Sequence, residues 1–477
     1  MSNSVVEQLK ENAAKYPKKT AIICDDVETT YEELWMLVRG YSNFLAENGV
    51  KRNGIVVSRT TQSLNFAVSY WATHLCGAAF VPVENGTPKE KLQEIAKETD
   101  ADYVLEDEEV QDVLSNAKSC FCETKEYVFP EKSDVSDILF TTGTSGKSKG
   151  VVLSHRALLA SVGNLVYGNG YKEDTIMVLP GPLNHANAIR KLYTCIYHGC
   201  TVIILNGMMA MKDFFHALDH YHANALCLPP SAVQIMLLMS KSKIGNYADQ
   251  IDFIESAGAA LPKADADKLK KLLPKSHLYI GYGSSEAGPM CEFDYNKYEK
   301  EANCIGEIMP CGTVIIVDEN KQPITSSKNN LGLLACGGDI RMEGYFHDEE
   351  LTKETMDENY VYTNDIGYID EEGFVYIISR RDDVINSGGL KIAPMDVENV
   401  ALEVEGVNDC LCIAVKDPVL TFAPKLLVVP GEGFDMKELQ LRLKDKLEPF
   451  KVPKSIDIVD EIKKTYNGKP DRKYYRP

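Results

Sequence analysis

Apolar positions in the first half of the 477-residue chain fall into short, bounded runs rich in β-branched residues, separated by longer amphipathic stretches. Ile55 to Ser58, Phe80 to Val83, Tyr103 to Leu105, Ile138 to Phe140, Ile176 to Leu179, Val202 to Leu205 and Phe253 to Ser256 have the length and composition of buried strands. Between them, Tyr31 to Glu47 and Ala210 to His220 repeat apolar residues at helical spacing. This alternation predicts an α/β protein with parallel-rich sheets and helices packed on their faces. From about Cys304 the texture changes to short strands and Gly-rich turns, as in Gly306 to Asn320, which predicts a smaller antiparallel β unit.

Charge divides the chain again. Residues 384–477 hold fifteen Lys/Arg and fifteen Asp/Glu, whereas the whole chain has 51 against 70 and a formal net charge of -19. The excess negative charge therefore lies before Val384, and the shift predicts a domain boundary near Arg380. An acidic balance argues against a nucleic-acid coat or a polybasic membrane anchor. No apolar run approaches the ~18 residues of a membrane span, and the N-terminal segment has no apolar core or cleavage site. The thirteen cysteines include no C-x-x-C. The C-x-C pairs Cys120/Cys122 and Cys410/Cys412 would each share a face if they lie on strands. Most cysteines therefore read as small buried hydrophobes, and a cytoplasmic protein is expected.

Thr141 to Gly150 reads T-T-G-T-S-G-K-S-K-G and follows the apolar Ile138-Leu139-Phe140. Glycines let backbone approach an anion, hydroxyls donate to its oxygens and lysine offsets its charge, so the loop is a candidate phosphate cradle. A solvated turn is the plainer alternative. Gly146-Lys147-Ser148 imitates the end of a Walker A motif, but that motif needs glycine at position 141, where this chain has threonine.

At this loop the sequence resembles the adenylate-forming superfamily of acyl-CoA synthetases, non-ribosomal adenylation domains and luciferases, with Ser148 where proline is usual. Further segments resemble that family's motifs in order: Thr30 to Leu34, Gly77 to Val83, Pro182 to Ala188, Ser256 to Leu261, Tyr282 to Glu286, Thr363 to Asp365, Arg380 to Pro394 and Asn467 to Lys469. The motif form is nearest to acyl-CoA synthetases. The resemblance implies a large N-terminal domain with a β subdomain, residues 1–381, hinged at Asp382 to a small α+β C-terminal domain, residues 382–477.

It also implies roles. ATP and AMP would be held by Thr141, Thr142, Gly143, Thr144, Ser145 and Lys149, by Gly258 and Ala259 along the adenine, by Tyr282 stacking on it, and by Gly283 and Ser285. Asp365 would accept from the ribose hydroxyls, with Arg380 as the matching donor. Glu286 would hold Mg²⁺. Lys469 would be the catalytic lysine and His185 the gate of the acyl pocket. Ser387, Gly388 and Gly389 would pass the pantetheine arm of CoA. The implied activity is ATP-dependent conversion of a small carboxylic acid to acyl-AMP and then to acyl-CoA. Loading of an acyl carrier protein is the alternative, and a catalytically inactive nucleotide-binding homologue is a rival of another class. Ala186 stands where amino-acid-activating members place an aspartate, which argues against an α-amino acid. Arg190 and Lys191, on the same expected helix, are expected at the surface, with a second carboxylate on the acid as their alternative partner.

Overall fold

The computed structural model describes residues 2–59, 62–106, 112–142, 148–301, 303–464 and 470–475. Local chemistry starts helix α1 (Tyr31–Glu47): the Thr30 hydroxyl accepts from Glu33 N while the Glu33 carboxylate accepts from Thr30 N. A cap of this kind contributes about 1 kcal/mol. On the packed face of α1, a Cβ added to Gly40 would stand 1.7 Å from the Ala117 carbonyl oxygen. Only glycine lets the helix Val113–Ser119 come so close.

Among the described residues six strands make one sheet. Tyr103–Leu105, Ile55–Arg59 and Ala79–Val83 run parallel beside β1 (Val135–Thr142), which returns antiparallel as β2 (Ser148–Ser154), with Gly344–Tyr345 on the outer edge. Helices α2 (His155–Asn169) and α3 (Ala186–His198) pack with α1 in the largest core, around Trp71, Tyr31 and Tyr193.

The second sheet has thirteen strands among the described residues. One half is parallel, from Thr20–Cys24 through Thr201–Ile204, Ile176–Leu179 and Ala225–Cys227 to β3 (Phe253–Ala257) and β4 (His277–Ser284). After β4 the chain reverses into β5 (Gly288–Asp294), and the sheet continues antiparallel through Cys304–Ile308 to β6 (Tyr360–Ile369) and β7 (Phe374–Arg380). The antiparallel strands after Cys304 thus extend the same sheet, because β5 bonds along both edges. A second core, around Phe214, Val233 and Leu269, fills the other face of the parallel half.

The large sheet's β7 ends at Arg380, and a 3-10 turn, Arg381–Asp383, follows. A small sheet then begins with the hairpin β8 (Ile385–Ser387) and β9 (Leu390–Ile392). Helix α4 (Pro394–Leu402) and helix Met436–Lys446 cover it, burying Val397, Ala401, Leu439 and Leu443 against β10 (Val407–Asp417). Cys410 and Cys412 share the buried face of β10. Cys120 and Cys122 do not lie on a strand: Cys120 caps a helix and Cys122 is exposed beyond it. Among the described residues no helix is long and apolar enough to cross a membrane.

Candidate active site

The parallel register sets Ala257 on β3 opposite Gly281 on β4. The turn after β3, with Gly258 at φ +93° followed by Ala259, therefore lies beside Tyr282 at the carboxyl ends of these strands. Open α/β sheets present their ligand crevices at that end. Tyr282 donates its hydroxyl to Asp365 Oδ2 at 2.6 Å, and Asp365 Oδ1 accepts from Arg380 Nε at 3.1 Å. Asp365 and Arg380 are cross-strand partners on β6 and β7. The Thr363 hydroxyl braces the carboxylate's backbone by accepting from Asp365 N at 3.1 Å. Burial pushes the Tyr282 phenol well above its ordinary value, and the Asp365 charge adds to it, so the hydroxyl stays a donor.

A second group forms around Glu286. The β1–β2 hairpin pairs Thr141 with Lys149 and Thr142 with Ser148; Gly143, Thr144 and Ser145 lie outside the described residues. Lys149 Nζ sits over the ring of Tyr345, 5.3 Å from its centroid. In turn, Tyr345 donates its hydroxyl to Glu286 Oε1 at 3.1 Å. Sequence reasoning missed Tyr345, whose one local signal is its place in the G-Y-F run at Gly344 to Phe346. Burial and the neighbouring Glu286 charge raise its phenol. Gly283 keeps the β4–β5 turn closed, since a Cβ there would stand 2.2 Å from the Gly288 carbonyl oxygen.

Arg190 and Lys191 depart from expectation: they are 6% and 1% exposed. α3 lies in the core between the two sheets, and its charged heads find partners there, although Arg190 Nε has none. Arg190 donates from Nη1 to the Ser284 carbonyl at 3.0 Å and from Nη2 to the Ser285 carbonyl at 3.2 Å. It thereby pins the backbone of Ser285 and the residue that follows, Glu286. Lys191 Nζ lies 2.5 Å from Glu255 Oε1. His185 is the half-buried N-cap of the same helix.

The remaining candidates lie on the small sheet and the connection to it. Asn364 donates to Asp382 Oδ2 at 3.4 Å and accepts from Arg381 Nη2 at 2.8 Å. Gly388 and Gly389, at φ +59° and +87°, make the two-residue turn of the β8–β9 hairpin after buried Ser387. Positive φ at both positions is what this turn type demands of glycine. Lys469 lies outside the described residues. Three residues later, Arg472 holds the tail to α4 and β10: it contacts Glu398 at 2.7 Å and the Cys412 carbonyl at 3.0 Å, and its Nε stands 3.5 Å from Asp383.

Among the described residues no group of three or more His, Cys, Asp or Glu side chains converges on a common point. A lone carboxylate such as Glu286 suits a hard cation whose other ligands are phosphate oxygens and water. Two polar clusters thus flank the end of β4, one built on Asp365 and one on Glu286.

This is the architecture of an adenylate-forming enzyme. Residues 9–346 match the model of the AMP-binding enzyme family and residues 396–469 that of its C-terminal domain, so the chain belongs to the AMP-binding enzyme family. A 2-succinylbenzoate–CoA ligase of Listeria monocytogenes serotype 4b (strain F2365) is 25% identical over 477 residues, 97% of each chain. The 4-coumarate–CoA ligase 1 of Petroselinum crispum is 27% identical over 405 residues, covering 81% of this chain and 73% of its own. Among solved structures, ATP-bound MatB from Rhodopseudomonas palustris has the same fold, with a TM-score of 0.90 at 21% identity, covering 100% of this chain and 98% of that one.

Proposed function

We propose that this enzyme joins a carboxylic acid to AMP, using ATP and releasing pyrophosphate, and then transfers the acyl group to the thiol of CoA. The observation that carries the reading is that β4 holds the candidate adenosine residue Tyr282 and leads directly to the candidate metal residue Glu286. The membership of the chain in the AMP-binding enzyme family and the CoA-ligase names of its relatives support it.

A carboxylate attacking the α-phosphorus of ATP brings two anions together, so the protein's task is to position and neutralise them. Asp365, already aligned by Tyr282 and Arg380, accepts from the ribose hydroxyls. Gly258 and Ala259 lie along the base. Thr141 to Ser145 and Lys149 hold the phosphates. Glu286 would hold Mg²⁺, which when bound neutralises phosphate charge. His185 gates the acid's entry beside α3. Lys469 meets the carboxylate oxygen and α-phosphate as charge builds there, an interaction that lowers the barrier because it strengthens in the transition state.

The test is pyrophosphate release with hydroxamate trapping across a panel of carboxylic acids, followed by transfer to free CoA or to a phosphopantetheinylated carrier protein. Acid-dependent pyrophosphate release and CoA thioester formation are expected. Transfer to the carrier alone would move the second half-reaction to the other acceptor. Lys469→Ala is expected to lose roughly 10²- to 10³-fold in adenylate formation, by analogy with removal of one oxyanion donor. An unchanged rate would remove the lysine from the mechanism.

A further inference from the structure

Just below the end of β4 lies a set of charged side chains that the proposed reaction does not use. Glu255, Ala257, Gly281 and Glu292 share one face of the sheet, because Ala257 pairs with Gly281 and Gly281 with Glu292 across β3, β4 and β5. Ala257 and Gly281 are half-exposed beside the candidate adenosine residues, whereas the carboxylates sit deeper. α3 supplies Lys191 to Glu255 Oε1, and the end of α2 supplies Asn169, whose Nδ2 donates to Glu292 Oε1 at 2.9 Å. Glu255 and Asn169 are 1% exposed and Glu292 8%. A Cβ on Gly281 would stand 3.2 Å from Glu255 Oε1 and 3.4 Å from Glu292 Oε2, so both carboxyl groups reach up to the strand that ends at the proposed nucleotide site.

The hydrogen bonds of this cluster do not close. Glu255 Oε2, Glu292 Oε2 and Asn169 Oδ1 are buried with no hydrogen-bond partner. Native proteins rarely leave buried acceptors unmatched. The imbalance has a sign, since even with a proton on Glu292 one donor would face two unmatched acceptors, Glu255 Oε2 and Asn169 Oδ1. Burial and the Glu255 charge also push the Glu292 carboxyl upward, as crowded negative charge should. A second carboxylate would be repelled by the two carboxyl groups, and Lys191 is already paired with Glu255.

We infer that this cluster recognises the far end of the substrate, and that the acid carries a hydrogen-bond donor there, an amine or a hydroxyl, rather than bare hydrocarbon or a second carboxylate. The inference rests on the ligase reading above for the identity of the ligand as a carboxylic acid.

Two matched series test it: benzoate, meta-hydroxybenzoate, meta-aminobenzoate and isophthalate; and hexanoate, omega-hydroxyhexanoate, omega-aminohexanoate and adipate. Pyrophosphate release and calorimetric binding in the presence of AMP are the readouts. In at least one series the donor-bearing acids are expected to exceed the unsubstituted acid by roughly tenfold or more in kcat/KM, because a site built around buried polar groups rejects an analogue that leaves them unmatched. Glu292→Gln is expected to shrink that ratio by about the same factor. Lys191→Met/Glu255→Leu, which removes both partners of the buried pair and strands no charge, should do likewise and serves if Glu292→Gln does not fold. Preference for the unsubstituted or dicarboxylic member in both series would overturn the inference, as would a donor preference unchanged in both variants. If no acid released pyrophosphate while the donor-bearing acids alone still bound, the ligase reading would fall and the recognition assignment would stand.

Discussion

Asp365 has both carboxylate oxygens engaged, one by Tyr282 and one by Arg380, so its plane is fixed before any ligand arrives. Hydrogen bonds to a charged group contribute about 1.5–3 kcal/mol, and an amide at this position would retain only one acceptor oxygen. Asp365→Asn is therefore expected to weaken ATP binding roughly 10- to 100-fold, read as a rise in the calorimetric Kd for ATP. An unaltered Kd would free Asp365 from its proposed role. The T-N-D run singled Asp365 out in the sequence; its contact with Tyr282 was not legible there, because Tyr282 lies 83 positions away and meets it only through the pairing of distant strands. Tyr345 was hidden for the same reason, since its contact with Glu286 spans 59 positions and no local pattern encodes it. Arg190 and Lys191 misled in the opposite direction. Charge on a helix predicts solvent, but here two carbonyls and one carboxylate replace it.

Helix α1 was readable, since it runs from Tyr31 to Glu47 as the apolar spacing predicts; its Thr30–Glu33 cap, which accounts for the start, was not among the signals read. α3 was recognisable as a helix, but not its position between two sheets. Its Arg190 is the strut that sets the backbone after β4. Arg190→Met is expected to lower adenylation roughly 10- to 100-fold, since a small displacement at a distance can cost that much. Lysine should restore only part of it, because one ammonium cannot reproduce a two-pronged contact. Full activity in Arg190→Met, measured as initial pyrophosphate release, would refute the strut. At the start of α2, His155 is buried with both ring nitrogens lacking hydrogen-bond partners. Burial, and then His74, hold its pKa well below the ordinary value of 6.5. The unfolded chain therefore binds a proton that the folded chain refuses. Stability from this group is complete above pH 6.5 and is lost as pH falls, at up to about 1.4 kcal/mol per pH unit. Between pH 7.5 and 5.5, each near the edge of that roughly one-proton transition, Tm should fall more steeply for the wild type than for His155→Phe; parallel curves would contradict this.

Over the whole molecule, the large sheet ends at Arg380 and the small one starts at Ile385. The residues between them include Asp382, which Asn364 contacts, and Asp383, which faces Arg472. If the small domain turns about Asp382 between half-reactions, fixing the backbone there should impair the step that needs the turn. Asp382→Pro is expected to slow thioester formation more than adenylation, as hinges act by absorbing a φ/ψ change; equal losses in single-turnover assays of the two steps would count against it. The charge shift near Arg380 falls where the strands of the large sheet give way to those of the small one, whereas the merging of parallel and antiparallel strands into one sheet was not visible in the sequence, because it depends on β5 bonding along both edges. That merger has a mechanical consequence. The loops that would grip the base and the carboxylate that would grip the sugar are cast in a single plate, so the nucleoside's cradle would move as one body, and any give between one chemical step and the next would fall to the few links that leave the plate's rim.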